Sequence, residues 1–213
     1  MTIIILYASY QTGCKPMRYD ADHKQQTRER VLREAAKAIR AEGPHQIAVA
    51  GIMAKAGLTH GGFYAHFASK DDLVVAAIGQ MFDEGGERLA RETEGKAPAR
   101  GLADYIDFYL SKEHCDARTT GCPMPFMAAD LPRLSAPAQA RFAEGIAGLR
   151  VRLAELLEQL GHADARAEAS SMLSELVGAL SLARAEPDLE RSDTILARSR
   201  ASLKQRFALE PRQ

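Results

Sequence analysis

Between residues 24 and 42 the apolar positions Val31, Ala35, Ala38 and Ile39 fall three and four apart, with charged residues between them. That spacing lines one face of a helix beginning near Lys24, and Gly43-Pro44 stops it. A short second helix is predicted over residues 49–56, followed by Gly57, which tolerates the left-handed cap that closes many helices. Thr59 is placed to cap a third helix over 60–67. Ser69 is placed to cap a fourth that carries Asp71 and Asp72 in its first turn, where carboxylates suit the helix dipole, and that reaches about residue 94. Beyond a break at 95–101, helical spacing returns over about 102–114, 126–131, 136–160, 163–185 and 192–207. No alternation of period two and no internal repeat occurs past Met17. The expectation is an all-α fold of about nine helices, the first three short and tightly connected.

Residues 1–17 read differently: strand-like, then halted at Gly13-Cys14-Lys15-Pro16. They are expected to be a non-native or disordered extension, with Met17 as the natural start. Residues 18–70 then form a small head and 71–213 a larger body.

Charge sharpens this division. Lys+Arg and Asp+Glu both total 28, so the chain is neutral overall. Yet residues 18–70 hold nine basic against five acidic side chains, a net of +4, and four of the six histidines. A basic head on an acidic body fits a local site for a polyanion. No run approaches the ~18 apolar residues of a membrane span, and no basic residues precede Ile3-Ile4-Ile5-Leu6 as in a secretory signal. Three cysteines, Cys14, Cys115 and Cys122, make no disulfide framework. A cytoplasmic protein without metal or cofactor is expected.

The segment 52–67, IMAKAGLTHGGFYAHF, reads as a short helix, a glycine turn and a second short helix. That is the helix-turn-helix layout, whose second helix enters the major groove by its first residues. Ala54 and Ala56 are small enough for close packing, and Leu58, Phe63 and Phe67 supply an imperfect apolar side. Thr59, His60, Gly61, Gly62, Tyr64 and His66 remain for the outer surface.

The run AGLTHGGFYAHFASKDDL (56–73) resembles the signature of TetR-family transcriptional regulators, and the likeness extends over about 24–78. The resemblance implies a three-helix DNA-binding head and a C-terminal helical bundle for ligand binding and dimerisation. It places His60, Gly61 and Gly62 at base edges. Thr59 would cap the recognition helix and touch phosphate. Tyr64, His66 and Lys70 would bond phosphate oxygens, with Lys55 as a further phosphate candidate; such contacts fix register without reading sequence. One departure stands out: the family usually opens its second helix with Ser or Thr, where this chain has Ala48-Val49, leaving Gln46 as the candidate substitute.

In the body, Tyr105, Phe108, Tyr109, Phe126, Met127 and Met172 are candidates for an apolar ligand cavity, or else plain core. Cys122, ahead of Pro123, is placed to cap the next helix, where the dipole would lower its pKa, with His114 and Arg118 adding positive charge. It is a candidate sensor of oxidants or electrophiles with Cys115 as resolving thiol; the competing reading is an inert buried cysteine. Ser174, Gly178 and Ser181 with Val177 on one helix, and Leu196 and Leu203 on the last, are candidates for a dimer interface. The expected function is a ligand-responsive repressor, not an enzyme, that binds a palindromic operator in double-stranded DNA as a homodimer and answers an unidentified small molecule or electrophile. The alternatives are a thiol-based redox enzyme and a ligand-binding protein without DNA binding.

Overall fold

The computed structural model describes residues 17–209, with side chains from residue 22 onward. The expected extension at 1–17 lies outside the described residues except for Met17. Among the described residues every regular element is helical.

Helix α1 (Met17–Glu42) is 26 residues long, so the first helix is not short. Its opening turns carry no apolar stripe, and the periodicity therefore marks only the part from Lys24 onward. Val31, Leu32, Ala35, Ala36, Ala38 and Ile39 are buried. Gly43 ends the helix at φ +86°, its N–H bonded to the Ile39 carbonyl.

Helix α2 (Val49–Lys55) buries Ile52 and Met53. It closes in a Schellman turn: Leu58 N–H donates to Met53 O and Gly57 N–H to Ala54 O, with Gly57 at φ +71°. Ala56 is buried as expected, but Ala54 faces out.

The next segment, His60–Ala65, is a 3₁₀ helix rather than the α-helix expected over 60–67. Gly61 and Gly62 each weaken an α-helix by about 1 kcal/mol, and short runs of this kind tighten readily. Phe63 and Phe67 hold the segment in place. Both are buried, their rings stacked with centroids 5.7 Å apart, and such burial stabilises by about 2 kcal/mol each.

Helix α3 (Lys70–Thr93) is capped as expected. Asp72 N–H donates to Ser69 Oγ at 3.0 Å, and the Asp72 carboxylate accepts from Ala68 N–H at 3.1 Å. The helix packs on α1, α4 and α7, and the buried residues from Val31 to Leu209 form one continuous cluster.

A single helix was expected over 102–114. Instead α4 (Pro98–Tyr109) is followed by a separate α5 (Lys112–Asp116). Ser111 makes the break, its side chain accepting from His114 N–H and capping α5. The short helix expected over 126–131 is α6 (Met124–Met127) plus a 3₁₀ turn, Leu131–Arg133. Helices α7 (Ala136–Gln159), α8 (Ala165–Ala185) and α9 (Leu189–Arg206) complete the body, α8 packing on both α7 and α9.

Candidate nucleic-acid interface and cavity

The anchoring of Phe63 and Phe67 decides what the 60–65 segment shows to solvent. Thr59, His60, Gly61 and Tyr64 are exposed together, with Lys55 beside them at the end of α2. Tyr64 is 71% exposed, its ring edge-on to Phe63 at 5.2 Å. A large aromatic left this open spends its apolar surface on water unless something docks there. A Cβ at Gly61 would meet nothing within 4 Å, so no neighbour within the chain requires glycine there. Its lack of a side chain leaves the backbone open to close approach from outside.

Thr59 has the extended backbone of a cap, but its side chain caps nothing. Ala48, at the cap of α2, likewise supplies no side-chain bond. His66 is half-buried, and its Nδ1 has no hydrogen-bond partner. Burial, then the charges of Lys24 and Arg28, hold its pKa below the ordinary value. Lys70 is exposed, with Nζ donating to the His45 carbonyl at 3.0 Å.

A cavity of about 430 Å³ opens in the body, walled by α3, α4, α5, residues 117–123 and Leu149 of α7. Four of the expected residues line it: Tyr105, Phe108, Tyr109 and Cys122. Phe126, Met127 and Met172 do not; Met127 and Met172 are fully buried core. Phe82, Glu84, Arg88 and His114 complete much of the wall.

His114 organises this wall. Its Nδ1 bonds the Tyr109 carbonyl at 2.8 Å, and its Nε2 accepts from Cys122 N–H at 3.2 Å. Since Nε2 accepts, the proton sits on Nδ1 and the ring is neutral. Burial, the largest cause, together with the Arg184, Arg88 and Arg40 charges, pushes its pKa down to about 4. Phe108 stacks on the His114 ring at 5.1 Å and carries the Arg88 guanidinium at 4.0 Å.

Cys122 is not the activated thiol that its position in sequence suggested. Pro123, not Cys122, occupies the cap of α6, and that helix is only four residues long. Burial dominates and raises the Cys122 thiol above its usual value, although Tyr109, the Met124 backbone and the Arg184 and Arg40 charges pull the other way. His114, being neutral, adds no charge. Cys115 and Cys122 are both buried and unbridged.

The cavity reaches the head through one side chain. Arg40, near the end of α1 and 2% exposed, donates through Nε to the Gly121 carbonyl at 2.9 Å and through Nη2 to Glu84 at 2.6 Å. Both acceptors belong to residues of the cavity wall.

The sequence profile of the bacterial regulatory proteins of the tetR family matches residues 31–77. A TetR transcriptional regulator from Chloroflexus aurantiacus J-10-FL superposes with a TM-score of 0.74 at 26% identity, over 88% of this chain and 96% of that one. Residues 31–77 thus form a tetR-family DNA-binding domain, and the whole chain has the fold of tetR-family regulators. A TetR-family regulator from Agrobacterium tumefaciens gives a TM-score of 0.72 at 25% identity, covering 85% of this chain and 98% of that one. The reduced form of Escherichia coli NemR shares the fold, with a TM-score of 0.74 at 20% identity, over 84% and 97% of the two chains. No curated protein matches the sequence significantly.

The tetR-family fold assigns DNA binding and transcriptional regulation to this chain, with the helix-turn-helix made by α2 and the 60–65 segment. No helix is long and apolar enough to cross a membrane, and no cluster of three or more potential metal ligands occurs among the described residues.

Two of the expected interface residues are misplaced. Leu196 and Leu203 on α9 are buried within the chain, 2% and 0% exposed, where α9 packs on α8 and α4. Ser174 is exposed, and Val177, Gly178 and Ser181 are half-buried on α8. Arg40, Glu84, Gly121 and His114 were not singled out as a unit by sequence reasoning. Only the Gly121-Cys122-Pro123 run in a helical chain hinted at a constrained turn.

The buried neutral His114 makes stability depend on pH. Its folded-state pKa of about 4 lies below the ordinary 6.5, so the folded form binds fewer protons. The contribution is complete above 6.5 and is lost as pH falls toward 4. Denaturant unfolding is expected to show a loss of about 2 kcal/mol between pH 7.5 and 5.0 that His114→Gln removes. An equal pH dependence in the two proteins would mean that His114 does not carry it.

Proposed function

We propose that the chain is a repressor that binds a palindromic operator as a homodimer and releases it when a small molecule fills the cavity. The observation that carries the ligand response is Arg40, whose buried side chain joins the DNA-reading head to two cavity-wall residues, Gly121 and the partly exposed Glu84. A molecule that moves the Gly121 carbonyl or Glu84 alters the support of α1. It need only bind the DNA-incompetent arrangement better than the competent one. The raised pKa of Cys122 favours this reversible scheme over thiol chemistry.

In this reading His60, Gly61 and Gly62 face base edges, Tyr64 and His66 bond phosphate, and Lys55 and Lys70 add positive charge near the backbone. The dimer forms through α7 and α8. Val151 on α7 and Leu182 on α8 are 56% and 63% exposed, Ser174 is exposed, and Ala147 and Ser170 are half-buried beside Val151. A two-fold dimer presents two reading segments to two half-sites.

Tyr64 gives the direct test, because its exposure separates function from folding. Tyr64→Ala is expected to leave the melting temperature within a degree or two. It should weaken operator binding by roughly 100-fold, since two phosphate bonds are lost per dimer. Fluorescence anisotropy of a labelled duplex reads the affinity; unchanged affinity would remove the 60–65 segment from the interface.

A further inference from the structure

Resting on the reading of the cavity as the effector site, we propose that it takes an uncharged, largely apolar molecule bearing one hydrogen-bond-accepting oxygen, such as an aromatic ketone, with that oxygen on the Tyr109 hydroxyl. Tyr109 lines the cavity and is 1% exposed, and among the described residues its hydroxyl has no oxygen or nitrogen partner, only the Cys122 thiol beside it. Buried hydroxyls are nearly always paired, so an orphan at a cavity wall marks where a ligand atom belongs. The neighbouring Cys122 thiol is only a weak acceptor. His114 cannot compete for the ligand oxygen, because both ring nitrogens are engaged.

The charges around the cavity argue against a charged ligand. Glu84 is held by Arg40. Arg88 pairs with Glu92 at 3.2 Å and covers Phe108. Arg91, 57% exposed, lies 3.7 Å from Glu87. Among the described lining residues both arginines already have an acidic neighbour, nearby Arg184 spends its guanidinium on the carbonyls of His114, Cys115 and Ala117, and the exposed Glu113 at the wall repels a carboxylate. An ammonium would have to lie in a wall that holds Arg88 and Arg91 and offers a hydroxyl donor. What remains in the interior is apolar or neutral: Phe82, Tyr105, Leu149 and the Cys122 thiol.

The test is calorimetric titration of the full chain with four naphthalenes of similar shape: 2-acetonaphthone, 2-ethylnaphthalene, 2-naphthoate and 1-(2-naphthyl)ethylamine. The ketone is expected to bind about tenfold tighter than each of the others. Tyr109→Phe should erase that advantage and leave 2-ethylnaphthalene binding unchanged. In the wild-type protein the ketone C=O stretch should shift to lower frequency on binding, a readout that needs no variant. Preference for the naphthoate or the amine, an unshifted carbonyl, or a ketone advantage that survives Tyr109→Phe overturns the ligand class while leaving the cavity an effector site. Binding of none of the four overturns both.

Discussion

Replacing Gly121 with alanine is expected to lower the free energy of unfolding by about 3 kcal/mol. Two costs combine. Gly121 sits at φ +93°, a left-handed conformation that any L side chain resists by about 1–2 kcal/mol. A Cβ there would also collide with the imidazole of His114 at Nε2 and Cδ2. The ring cannot step aside, because Nδ1 and Nε2 are both bonded and Phe108 and Tyr109 flank it. Relief of the clash must come from residues 117–123, which would carry the Gly121 carbonyl away from Arg40. Gly51, where an added Cβ would meet nothing within 4 Å, is the control. Gly51→Ala should be neutral or slightly stabilising, since it lies inside α2. Equal midpoints for the two variants in urea would mean that the 117–123 segment is slack.

Arg40→Met is expected to separate the two halves of the mechanism. The apolar replacement keeps much of the packing but leaves the Gly121 carbonyl without its donor and Glu84 without its cation. Glu84 is 35% exposed and can turn to water, so the stability loss should be about 2 kcal/mol rather than the larger cost of a fully buried broken pair. The larger effect is on coupling. Wild-type protein saturated with effector should bind its operator at least about tenfold more weakly than the free protein. In Arg40→Met that ratio should approach one, while binding of the effector itself persists. Anisotropy with and without effector measures the ratio, and calorimetry the retained binding. A variant that binds effector and releases DNA as the wild type does would place the coupling elsewhere.

The head was largely legible in the sequence because its signals are local. Gly43 and Gly57 mark real left-handed caps, and Ser69 with Asp72 makes the expected start of α3. The pattern could not show that paired glycines tighten 60–65 into a 3₁₀ turn, nor that Ser111 divides one apolar stretch into α4 and α5. The body was less legible because its decisive contacts join distant residues. Arg40 meets Gly121 across 81 positions and Glu84 across 44. An arginine between Ile39 and Ala41 on a charged helix carries no mark of burial. Cys122 left two readings open in the sequence: its place before a proline suggested a helix cap and an acidic thiol, but burial outweighs a helix four residues long and favours the buried, unreactive cysteine. Leu196 and Leu203 were sound as apolar helix positions and mistaken only in what they face, since a heptad-like stripe looks the same against its own chain or a second copy.

The measurement that bears most directly on DNA reading by this chain is selection of duplexes from a random pool, followed by affinities over a range of salt concentrations. A palindromic consensus with two chains per duplex, and affinity falling linearly with salt on logarithmic axes, is the expected result. No enrichment by a folded dimer, or binding indifferent to both sequence and salt, would contradict it.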